Sequence, residues 1–246
     1  MNRKNFGKRI LTLSLAALMV LGLTACRDTS GGLSADDAKK CVQVEMDTTY
    51  KGEFSGFVDF YNNVTTSDAK EQYDANVEGE AFIFLDGMGI PTLEDQNTVV
   101  EATDLQLHRL KELYKQIYAK SDYTVVSSTK QEDGTFSVKV TIRPLDVFTL
   151  LMEDYDAGFE AFWTKFDAVD TDSMSNDEFV TWYNETLAPE FYDTLLNILE
   201  EQIPDIGYKE EKSIVIQVQQ DEDGSLYISS EDLQNLDRLI IDYSGE

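Results

Sequence analysis

Between Phe136 and Arg143 apolar and polar residues alternate strictly: Phe136, Val138, Val140 and Ile142 against Ser137, Lys139, Thr141 and Arg143. A period of two belongs to a strand with one buried face. The pattern returns near the end of the chain, where Ile214, Ile216 and Val218 alternate with Val215, Gln217 and Gln219. Each run adjoins an Asp-Gly turn, Gln131-Glu132-Asp133-Gly134 before the first and Asp221-Glu222-Asp223-Gly224 after the second, the latter leading into Ser225–Ile228. Asp-Gly supplies the positive-φ positions a tight hairpin needs. These runs limit the chain to a few short antiparallel hairpins.

Nearly everything else is patterned at helical spacing. Phe54, Phe57, Val58 and Tyr61 fall at i, i+3, i+4 and i+7. A second helix, from near Ser67, carries Tyr73, Val77, Ala81 and Phe84 and is broken by Gly87–Pro91. Thr103 with Gln106 forms a capping box that opens a third helix, striped by Leu107, Leu110, Tyr114, Ile117 and Tyr118. After Pro144, one long helix is expected from about Leu145 to Phe166, burying Val147, Leu151, Tyr155, Phe159, Phe162 and Phe166. Ser175 and Glu178 cap the next, and Pro189 suits the first turn of another. A strand is expected at Cys41–Thr48, where Val42, Val44 and Met46 alternate with Gln43 and Glu45.

The fold class that follows is α+β and helix-rich, with long amphipathic helices packed on short antiparallel hairpins. Gly134 and Gly224 lie 90 residues apart, and each hairpin follows a helix and a tyrosine, Tyr123 or Tyr208. A degenerate repeat with halves at about 36–150 and 151–246 would produce this. So would two hairpins in one α+β domain over 36–246, and both readings stand.

The N-terminus has a different character. A basic head (Arg3, Lys4, Lys8, Arg9) precedes an apolar run from Ile10 to Leu23, then Leu23-Thr24-Ala25-Cys26. Basic region, short apolar region and small-residue cleavage site describe a secretory signal peptide, here residues 1–25. The run is shorter than the roughly 20 residues a permanent spanning helix needs. Leu23–Cys26 matches the lipobox, and here the sequence resembles the bacterial lipoproteins. That resemblance implies acylation of the Cys26 sulfur, cleavage before it, and a lipid anchor facing outside the cytoplasm. Residues 26–35 then serve as a flexible tether, and the partner it implies is the membrane itself.

Removing residues 1–25 takes away four basic residues and no acidic one. That leaves 16 basic against 47 acidic residues, a net charge of −31. Such a surface repels phosphate backbones and argues against nucleic-acid partners. Once Cys26 is acylated, Cys41 is the lone thiol and no internal disulfide can form. A packed, unreactive role suits it best.

Motifs for serine hydrolysis, zinc proteolysis, phosphate binding or dithiol redox chemistry are lacking. His108, the only histidine, shares a helix face with Lys111, Glu112 and Lys115, opposite the leucines. No ligand set for zinc is complete. Nor does the loop around Asp221, Asp223 and Gly224 satisfy calcium, with Gln219 and Ser230 at the ends of the frame where carboxylates belong. Cofactor and catalytic residues are therefore both expected to be none. The aromatic set Phe159, Phe162, Trp163, Phe166, Trp182 and Tyr183 could line a ligand groove or could be core. The 47 acidic residues offer many carboxylate pairs, among which sequence cannot choose.

Four segments, Asp47–Phe54, Leu113–Val125, Val138–Phe148 and the closing DGSLYISSEDLQNL, resemble a group of Gram-positive, clostridial-type surface lipoproteins with no established activity. The resemblance implies location and architecture. Function is then expected to be a binding or interaction module for an envelope protein or small ligand. A carboxylate-dependent hydrolase of cell-envelope material is the alternative, and a spacer role the third reading.

Overall fold

The computed structural model describes residues 33–61, 64–95, 97–220 and 226–243. Cys26 and the signal segment lie outside the described residues, as does the second Asp-Gly turn. In chain order the elements are α1 (Ala35–Met46), α2 (Ser55–Phe60), α3 (Thr66–Met88), α4 (Asp104–Tyr118), β1 (Asp122–Lys130) and β2 (Phe136–Arg143). Then come α5 (Val147–Gly158), α6 (Glu160–Asp167), α7 (Asn176–Trp182), α8 (Ala188–Gln202), β3 (Lys212–Gln220), β4 (Leu226–Ile228) and α9 (Ser230–Ile240). The fold is α+β and helix-rich, as the periodicities require.

The strands form one antiparallel sheet in the order β1-β2-β3-β4. Val138 pairs with Ile216 and Val140 with Ile214, so the two hairpins are joined edge to edge through β2 and β3. α1 and α9 cover the face that carries Val125, Val138, Val140, Ile216 and Val218, all buried. Lys139, Thr124 and Val215 stand exposed on the other face. Strict alternation in β2 is thus read correctly as one dry and one wet side. The sheet therefore unites the two hairpins, and a repeat of two halves is not shown.

The expected strand at Cys41–Thr48 is instead helical. Ser34 accepts from the Asp37 amide while Asp37 reaches back to the Ser34 amide, a capping box that starts α1. Ala38, Cys41 and Val42 face one way at helical spacing, and Val44 faces another, against Phe57 and Tyr61 of a satellite cluster. Because α1 is covered by the sheet on one side and α2 on another, Val42, Val44 and Met46 are all buried. Burial on two sides gave the helix the look of strand alternation. α1 runs into one π-helical turn, Asp47–Lys51, which buries Thr48, Thr49 and Tyr50 and ends at Gly52 with φ +63°. Glycine takes that left-handed conformation without a Cβ penalty.

The single helix expected over 145–166 is two. The break falls at Phe159, which ends α5 and begins α6 with φ −91° and ψ −1°. Beside it, a Cβ on Gly158 would meet Ile198 Cδ1 and Cγ1 at 2.6 Å, so α5 and α8 approach more closely than any side chain there would permit. The reverse holds further on. The two helices expected around Ser175 and Pro189 run as one rod, α7 joining α8 through a π turn at Tyr183–Leu187. Proline cannot donate to an α-helical ladder. The widened turn lies directly ahead of Pro189, where the missing donor would otherwise interrupt the rod.

Candidate functional site: an aromatic crevice and a buried acid pair

Phe159 begins an aromatic stack that crosses from α6 to the α7–α8 rod. Its ring lies 5.0 Å from Phe191, and Phe162 lies 5.8 Å from the same ring. Trp163 packs edge-on to Phe162 at 4.9 Å, outside the opening described next. Between α6 and the rod a small crevice, open to solvent, is floored by Phe162 and Leu187, both buried. Phe166 and Trp182 wall it, their rings 5.5 Å apart and tilted by 31°. At the rim, Lys165 Nζ binds both oxygens of Glu190, at 2.7 and 2.5 Å.

Phe162, Phe166 and Trp182 of the sequence-derived aromatic set therefore line a groove, whereas Phe159 and Tyr183 are core. Residues 160–190 hold eight acidic side chains and one basic one, Lys165. Glu160, Asp172, Asp177, Glu178 and Glu185 are exposed. Capping by the Ser175 side chain and amide holds the Glu178 carboxyl below its ordinary range. The crevice thus combines an apolar floor with negative surroundings. It is far smaller than a drug-sized pocket and open, so it offers a shallow apolar contact rather than an enclosing cavity.

A second feature lies in the core. Glu80 on α3 and Asp237 on α9 are both buried, and their carboxyl groups face each other within hydrogen-bonding reach. The Tyr243 hydroxyl donates to Glu80 Oε2. Tyr50, delivered by the π turn after α1, points its hydroxyl at Asp237, and Tyr114 adjoins Tyr243. The Tyr118 hydroxyl lies beside Glu80 without reaching hydrogen-bond geometry. Burial pushes both carboxyls up, and for Asp237 the neighbouring Glu80 pushes further. Two adjacent carboxyls in a dry site cannot both ionise cheaply, so the pair retains a proton where lone carboxylates have lost theirs.

Sequence reasoning missed this pair, although a signal exists. Glu80 interrupts the stripe Tyr73–Val77–Ala81–Phe84, and Asp237 interrupts Leu233–Leu236–Ile240. An acid inside an apolar stripe is the mark of a buried charge with a partner.

Cys41 is fully buried, its sulfur 3.4 Å from the Tyr61 hydroxyl, which donates to Glu45 Oε1. Burial, and then the Glu45 charge, push the Cys41 thiol up to about 12. Only a thiolate is a competent nucleophile, so this group is inert near neutral pH. His108 is exposed on the polar face of α4.

No protein-family model matches the chain, and no curated protein matches it. Among solved structures the fold is similar to YcdA of Bacillus subtilis, a protein provisionally described as a lipoprotein. The TM-score is 0.52 at 16% identity, over 83% of this chain and 56% of that one. At that identity the likeness concerns the fold, and the chain spans little more than half the length of YcdA.

Proposed function

We propose that this protein is a lipid-anchored bacterial lipoprotein, held outside the cytoplasm through Cys26, that binds a cationic partner bearing an exposed aromatic or branched aliphatic side chain. The crevice between α6 and the α7–α8 rod carries the binding reading. Its apolar floor accepts the side chain, and the carboxylates around it attract the partner's basic groups. The lipobox supports the anchor, and the likeness to YcdA agrees with it. Among the described residues no helix is long and apolar enough to cross a membrane.

The hydrolase reading needs two carboxyls open to a substrate. Glu80 and Asp237 are buried among tyrosines, so this pair is not open to a substrate.

A basic peptide carrying one phenylalanine, and no tryptophan, is the probe. Saturable change in tryptophan emission is expected, weakened at least tenfold in Trp182→Ala and by high salt, with no response to an acidic peptide of the same apolar content. Equal binding by wild type and Trp182→Ala, or no binding at low salt, would remove the crevice from the function. Mass spectrometry of the Cys26 peptide tests the anchor separately.

A further inference from the structure

The C-terminal helix is fastened to the rest of the molecule in three ways. Asp232 accepts from the Gln217 amide at 3.0 Å, so the start of α9 covers the edge of β3 beyond β4. Beyond the helix, Leu145 donates to the Ile240 carbonyl and accepts from the Asp242 amide, both at 2.9 Å. The third fastening is Asp237 and Tyr243 against Glu80 of α3. The first joins a single carboxylate to a backbone amide and the second is backbone to backbone, so neither sets two acids against each other. The third depends on how many protons two facing carboxyls hold.

We propose that Glu80 and Asp237 form a proton-dependent latch. With one proton shared between them, the pair ties α9 and Tyr243 to α3, and loss of that proton in alkaline surroundings frees the C-terminal helix from the core.

The groups facing the pair leave it little alternative. The π turn presents Tyr50, α4 presents Tyr114 and Tyr118, and the segment after α9 presents Tyr243. Tyr123 of β1 faces Tyr50 and is engaged by Asp47 at 2.7 Å. Each of these hydroxyls is neutral and held above its ordinary range by burial. Arg238 is the cation felt by Asp237, and it lies on α9 itself, so it cannot hold that helix to α3. Lys51, the nearest cation of the π turn, is committed to Asp47 and to the Tyr123 ring, 4.3 Å away. Among the described residues, a second negative charge at this place would therefore meet tyrosine hydroxyls and only the Arg238 charge of its own helix. Repulsion acts between α3 and α9, whose separation relieves it. α3 is held by its packing on α4 and on the π turn, so α9 is the element that yields.

Hydrogen exchange of the full chain, corrected for the intrinsic pH dependence of exchange, tests this between pH 6 and pH 9.5. Protection of amides within 230–243 is expected to fall at least tenfold over that range while the β1–β2 amides keep theirs. Asp237→Asn, which is neutral and nearly isosteric, is expected to retain protection throughout, and Glu80→Gln should do the same if Asp237→Asn fails to fold. Constant protection of 230–243 in the wild type would overturn the latch. So would simultaneous loss in 230–243 and the β1–β2 hairpin, or an unchanged pH course in a folded neutral variant.

Discussion

Tyr243 donates its hydroxyl hydrogen to Glu80 across 163 residues of chain, closing the C-terminal segment onto the middle of α3. Tyr243 also packs on Phe148, with ring centroids 4.8 Å apart, so its ring has an apolar purpose as well. Tyr243→Phe keeps the ring and removes the hydroxyl that donates to Glu80. A buried acceptor stripped of its partner costs about 1–3 kcal/mol. Urea denaturation of Tyr243→Phe is expected to show that loss with an unchanged m-value. A change below about 0.3 kcal/mol would mean the hydroxyl contributes nothing to the packing of the segment.

Glu45 gives the stability a pH dependence of definite sign. Burial raises its carboxyl from the ordinary 4.5 to about 7, against the lowering effect of the Tyr61 and Gln72 hydrogen bonds. A raised carboxyl contributes stability that is fully present below about pH 4.5 and is lost as pH rises through about 7. Exposed carboxylates lowered by their caps, Asp68 and Glu178, act oppositely and lose their contribution as pH falls below about 4. The maximum is therefore expected near pH 5. Thermal melts should give a higher Tm at pH 5 than at pH 8, and Glu45→Gln should shrink the difference. A Tm that rises from pH 5 to pH 8 would contradict the burial of this carboxyl.

Gly158 is a second point at which packing and local preference disagree. Alanine is the better helix former by about 1 kcal/mol. Its Cβ, however, would meet the β-branched, buried Ile198 at 2.6 Å and push α5 off α8. Overpacking of this kind costs about 1–3 kcal/mol. Gly158→Ala should lower stability, and Gly158→Ala with Ile198→Val should recover part of the loss in a double-mutant cycle.

What the sequence revealed tracks how directly a local pattern reports burial. The β2 strand and the third helix were legible because each buries one face, giving clean periods in Phe136–Arg143 and in Leu110–Tyr118. α1 was misread because it is covered on two sides, so its apolar positions no longer mark one stripe. The break at Phe159 and the continuity through Pro189 were hidden because both arise from tertiary contact with α8 and from π turns, which leave no periodic trace. The aromatic crevice was half legible: the residue types pointed to it, but only the packing separates Phe166 and Trp182 at the wall from Phe159 in the core. The Glu80–Asp237 pair joins residues 157 positions apart. Only an interrupted apolar stripe on each helix hinted at it.

Three substitutions set anchor against chemistry. Cys26 is the sulfur of the lipobox, so Cys26→Ser should abolish acylation and release the protein from the membrane fraction, checked by fractionation and by a lipid-mass shift on the N-terminal peptide. Cys41 is buried with its thiol held protonated, so a thiol reagent should label it only as fast as the protein opens. Cys41→Ser places a hydroxyl in that packed site and should lower stability by about 1–2 kcal/mol while sparing function. His108 is exposed on α4, and His108→Ala should alter stability by less than about 0.5 kcal/mol. Removing a nucleophile or general base instead costs orders of magnitude in rate. Complementing a deletion strain with each variant at matched expression separates the cases. Only Cys26→Ser should fail, and failure of Cys41→Ser or His108→Ala in folded, correctly localised protein would point to chemistry rather than binding.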